Sequence, residues 1–162
     1  MSELPRLLDQ LRQAFDGEPW SGPALLTTLA GLPAGATVQR PIAGAHSIWE
    51  ITQHLTVWTR VVRQRLSENE LVQLRAAEDW PAPPALPTEA GWRGVLSALR
   101  TAHEQLLATA ATIPERSLDH RIGSTFDQVQ GFTVYATLHG VAQHYLYHAG
   151  QIIMLRKALG AT

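Results

Sequence analysis

The 162-residue chain contains no cysteine, which excludes disulfides, thiolate zinc sites, iron–sulfur clusters and a cysteine nucleophile. Any metal must therefore be held by nitrogen and oxygen ligands. Excess charge of either sign is also missing. Thirteen basic residues against fourteen acidic ones leave a net charge of -1, with no run able to follow a phosphate backbone or an anionic membrane. Nucleic acid is not an expected partner. No apolar run reaches the roughly 20 residues that span a bilayer. Met1 to Phe15 carries charges where a signal peptide would have an apolar core, so the expected location is cytoplasmic. Charged residues are scarce as well, 17% of the chain against roughly 25% in soluble domains. That scarcity predicts that some surface meets another, as in a homodimer.

The rest of the chain is organised by helical spacing, and its length suits one domain over residues 1–162. Leu4, Leu7, Leu8, Leu11 and Phe15 recur at three and four behind Ser2, and Gly17 and Pro19 end that run. A resumption from Pro23 to Leu29 closes at Gly31 and Pro33, and residues 31–46 follow as a loop. "SIWEITQHLTVWTRVVRQRL" opens on Ser47-x-x-Glu50, the spacing at which two side chains satisfy each other's free backbone N–H groups. It continues as an amphipathic second helix to about Leu66. "DWPAPPALP" is a proline-rich connector. A third helix is marked from Thr88 to about Ala111, and a fourth from about Thr133 to Leu159 with Gly160 placed to cap it. The stretch "SLDHRIGSTFDQVQG" between them reads as loop with a short extended piece. Four helices with no strand pair predict an all-α four-helix bundle.

Histidine is what the fourth helix has in unusual supply. In "HGVAQHYLYHAGQI" His144 and His148 are four apart, so their directions differ by roughly 40° and both rings face one side. His139, five before His144, points elsewhere. On the second helix His54 sits in the apolar stripe between Ile51, Leu55 and Trp58 and is expected to point inward. Buried imidazoles need partners. Spacing alone leaves two explanations open, a shared cation and satisfied core histidines, because nothing local makes the second and fourth helices neighbours.

"HSIWEITQHLTVW" followed near the C-terminus by "HYLYHAGQI" resembles the DinB-like superfamily, the DinB/YfiT group of four-helix bundle proteins. The likeness covers nearly the whole chain, including "GPALLTTLAGL", and its most specific part is H-x3-H-x-G-Q-I. The resemblance implies a metal site built from His54, His144 and His148. It also implies nickel or zinc as the cofactor, with water completing the coordination sphere. Related bundles include S-transferases that use low-molecular-weight thiols and others described as metal-dependent hydrolases. A small-molecule substrate, with such a thiol as partner, is the implied chemistry. Thiol transfer is the preferred reading because no clear carboxylate base is present. The candidates for a catalytic group are Glu50, whose bland role is to cap the second helix with Ser47, and Gln151, which can bond a ligand histidine or merely pack. Of Tyr145 and Tyr147, at least one is expected only to pack. Trp49 and Trp58 line a pocket mouth or belong to the core. Gly150, which inside a helix costs about 1 kcal/mol relative to Ala, is expected to be offset by close approach of a second helix.

Overall fold

The computed structural model describes residues 2–124 and 131–160. Seven α-helices are present among them: α1 (Glu3–Asp16), α2 (Leu25–Leu29), α3 (Ala34–Thr37), α4 (Ile48–Glu68), α5 (Ala76–Asp79), α6 (Glu89–Ala111) and α7 (Val134–Ala158). The four long ones form the bundle. Helix α4 lies against α6 and α7, and α1 packs against α6 and α7 on the opposite side. Their inward stripes merge into one apolar core that includes Leu11, Leu29, Leu55, Leu99, Leu138 and Ile152, each essentially inaccessible to solvent. Burial of each such side chain contributes roughly 1.5–3 kcal/mol.

Helix boundaries follow from local chemistry. The Ser47 hydroxyl accepts from the Glu50 N–H and the Glu50 carboxylate accepts from the Ser47 N–H, closing the reciprocal cap at the start of α4. Thr88 and Thr133 accept from N–H groups three residues on and start α6 and α7. Asn69 ends α4 in the left-handed region at φ 54°, a conformation Asn tolerates because its side chain bonds locally. Its Oδ1 accepts from His120 Nε2 and Gly123 N–H. Gly160, at φ +69°, follows α7 as expected.

Three stretches read as loop or continuation are more structured. The resumed first helix is the separate helix α2, tied to α7 by Arg156, whose Nη1 donates to the carbonyls of Thr28 and Ala30. The loop of residues 31–46 contains the single turn α3. The stretch at residues 117–131 does contain an extended contact, an isolated antiparallel bridge between Arg121 and Thr133. Residues 125–130 of that stretch lie outside the described residues. A one-turn helix has no repeat from which periodicity can be read.

Candidate metal centre

His54 projects from the middle of α4, and His144 and His148 from adjacent turns of α7. Because α4 and α7 are neighbours, the three rings meet. His144 Nε2 lies 3.2 Å from His54 Nε2 and 2.9 Å from His148 Nε2. Ligand atoms of all three residues fall within 4.8 Å of one another. Nitrogens bound to a common ion at about 2.0–2.1 Å are separated by roughly 2.9–3.4 Å in octahedral or tetrahedral arrangements, so these two spacings suit a shared cation.

The outer nitrogens carry a second argument. His54 Nδ1 faces both the backbone carbonyl of Asp79 at 3.0 Å and its carboxylate at 2.8 Å. His148 Nδ1 faces the side-chain oxygen of Gln151 at 2.7 Å. These partners are acceptors, so each Nδ1 carries the proton and each Nε2 of a neutral ring turns a lone pair inward. Two inward lone pairs then flank His144 Nε2, whose neutral ring can supply at most one proton to the cluster. This group, with His54 and His148 buried and His144 half-buried, brings few hydrogens of its own and could be satisfied by a cation. Locking the outer nitrogen of a metal-binding imidazole to a carboxylate or amide is a general device for fixing its tautomer.

Burial also disfavours protonation. It pushes His144 and His148 down to about 4, and in both the nearby rings add to the effect. His54 is lowered by burial too, against the opposing pull of Asp79. Burial thus favours the neutral form of all three imidazoles, the form that binds metal.

Two residues that the sequence did not point to complete the surroundings. Asp79 closes α5, and the following Trp80 precedes Pro81, which disfavours the helical region for Trp80 and ends the helix there at φ -122°, ψ 78°. The chain so turned lays the Trp80 indole on the His54 ring, centroids 3.8 Å apart and nearly parallel. His46 stacks on the other face of Trp80 at 3.6 Å. Trp58 Nε1 donates to the Asp79 carboxylate at 2.6 Å. The only available signal was the presence of "ED" and "W" before a proline, inside a segment without periodicity.

The remaining expectations sort clearly. Gln151 does bond His148. Glu50 is the helix cap and is also paired with Arg40, its Oε2 accepting from Arg40 Nε at 3.0 Å and its Oε1 from Nη2. Although burial raises its pKa, Arg40, Ser47 and His46 together hold it at about 2, which makes it a weak base. Tyr145 is fully buried and packs in the core, sharing hydrogen bonds with Thr59 and His103. Tyr147 is exposed beside His148. Trp49 lies in the core against Trp92, whereas Trp58 lines a cleft of about 500 Å³ that also reaches His144. A second cleft, about 640 Å³, borders His148, Gln151 and Trp80. Gly150 departs from expectation. Among the described residues a Cβ there meets nothing within 4 Å and no helix approaches that closely, and the residue borders the second cleft. His139 bonds Tyr135 on the outer side of α7.

Among the described residues no helix is long and apolar enough to cross a membrane. A family model described as the DinB superfamily matches residues 20–152, a span that includes all three histidines. No curated protein and no solved structure matches the chain.

Proposed function

The chain belongs to the DinB superfamily, and on that premise we propose that His54, His144 and His148 bind one divalent cation, nickel or zinc, for the transfer of a small thiol to a small-molecule substrate. The observation that carries the reading is the convergence of three Nε2 atoms, with the protons of the His54 and His148 rings held on their far sides by Asp79 and Gln151. His54, His144 and His148 would hold the cation, which would supply Lewis acidity and lower the pKa of a thiol or water brought to it.

The chain's own residues set the terms of that chemistry. Asp79 holds the Nδ1 proton of His54 and raises the basicity of its inner nitrogen, and Gln151 does the same for His148 with a neutral acceptor. Trp80 covers one face of the His54 ring and keeps water from it. The carboxylates nearby are already committed, Glu50 to Arg40 and its own helix cap, Asp79 to His54 and Trp58. Hydrolysis calls for a base to take a proton from water. A thiol ionises far more readily, so the shortage of free carboxylates favours thiol transfer. A cytoplasmic setting suits the proposal, since thiols stay reduced there.

Nickel-loaded protein titrated with 2-mercaptoethanol near neutral pH tests this directly. The expected result is sulfur-to-metal charge-transfer absorbance that is absent from the His148→Ala variant. No spectral change, together with hydrolysis of 4-nitrophenyl acetate faster than in that variant, moves the reading to a hydrolase. Neither response moves it to a binding protein without catalysis.

A further inference from the structure

The cleft beside His144 carries a feature that metal binding alone does not use. Its walls are mostly apolar, with Trp58, Val62, Val141 and the largely exposed Phe132 among them, yet Arg65 also lines it. Arg65 is half-buried. Its Nη2 donates to the Val72 carbonyl at 2.6 Å, and its buried Nε has no hydrogen-bond partner among the described residues. Among the described residues no carboxylate lies within 4.0 Å of the guanidinium. Burial alone lowers its pKa, as expected of a cation that has lost water and gained no anion. A partly desolvated charge that has only one carbonyl and an aromatic face for company is costly, and an arriving anion offsets that cost.

The position of this cation relates it to the histidines. The Arg65 side chain reaches back along α4 toward its N-terminus, the direction helical side chains favour, and its Cζ sits 5.4 Å from the Trp58 ring. Trp58 in turn lies 6.4 Å from the His54 ring. These two contacts in sequence keep the guanidinium within about 12 Å of that ring. The cleft itself reaches His144, whose Nε2 is 3.2 Å from that of His54. Gly140, on the α7 wall of the same cleft, has open space where its Cβ would be, and so preserves room there.

We propose that this cleft binds an amphiphilic carboxylate, its apolar body against Trp58, Val62 and Val141 and its carboxylate on Arg65, so that the opposite end is presented to His144. The assignment rests on the proposed function for the meaning of that presentation, but the binding itself rests on Arg65 and the cleft. It narrows the small-molecule substrate to one with an anionic head and an apolar stem.

Hexanoate and its neutral analogue hexanamide serve as probes, with the indole N–H resonance of Trp58 as the readout, in the protein as purified and after chelation of metal. Hexanoate should bind about tenfold more tightly than hexanamide, the size of effect a charged hydrogen bond gives. In Arg65→Met, which keeps an apolar stem on the helix, that preference should vanish while hexanamide binding is retained. Gly140→Leu, which fills the cleft from a helical position, should abolish both, and the hexanamide binding retained by Arg65→Met shows that variant to be folded. Equal binding of the two probes, no binding of hexanoate, or binding undisturbed by Gly140→Leu overturns the proposal. A hexanoate preference that survives Arg65→Met but disappears on chelation makes the carboxylate a metal ligand, so this inference falls while the metal reading stands. An Arg65-dependent preference in protein that takes up no metal supports the inference and removes the metal reading instead.

Discussion

Asp79 is the residue that most changes the reading of this chain. Its carboxylate and carbonyl both take the Nδ1 proton of His54, and it holds Trp58 as well. Asp79→Asn keeps an acceptor and removes the charge, so it should weaken metal binding by about tenfold or more, the usual cost of altering such a partner. Competition titration with a chromophoric chelator measures this, and unchanged affinity would show that Asp79 only shapes the loop. The histidines make a second prediction through their protons. In the metal-free protein the burial of His103, His144 and His148 holds each at about 4, while an unfolded imidazole titrates near 6.5. Between those values the unfolded chain binds more protons, so stability is complete above about 6.5 and declines as pH falls toward 4. Urea unfolding at pH 7.5, 6 and 5 should show falling midpoints with a constant m value. Midpoints that rise or stay level down to pH 5 contradict the assignment of buried neutral rings. The inward trio was legible because all three sit at helical spacing. Asp79 and Trp80 were not, since residues that support a ligand from another segment leave no periodic trace.

Among the elements, the long helices were readable and the short ones were not, for the same reason. Helices α4, α6 and α7 begin at Ser47, Thr88 and Thr133, whose side chains accept backbone N–H groups, and each runs long enough to repeat its apolar stripe. Helices α3 and α5 are single turns, and α5 matters most because it delivers Asp79. That α4 and α7 touch could not be read from either helix, since packing partners are chosen by the whole core. Gly150 shows the opposite error, in which a local rule was applied correctly and the packing behind it was absent. Its open surroundings predict that Gly150→Ala stabilises the protein by about 0.4–1 kcal/mol, as when a helical glycine gains a Cβ without strain. Thermal or urea unfolding reads the change. A loss of stability there would mean that another surface occupies the space.

The molecule as a whole joins two halves of the bundle through one cluster, α4 supplying one nitrogen and α7 two. A cation bound there cross-links elements whose histidines are 90 and 94 positions apart in sequence. Because it binds the folded state, it should stabilise that state by about 2.7 kcal/mol at a hundredfold excess over Kd. The long helices share one buried apolar core, and the family match spans all three histidines. The most direct measurement is elemental analysis of the purified protein with calorimetric titration of zinc and nickel into chelated samples. The account predicts about one divalent ion per chain, strong loss of binding in His54→Ala, His144→Ala and His148→Ala, and near-normal binding in His120→Ala and His139→Ala. Protein that is isolated without metal and refuses both ions, or that loses them equally when His120 or His139 is replaced, contradicts it.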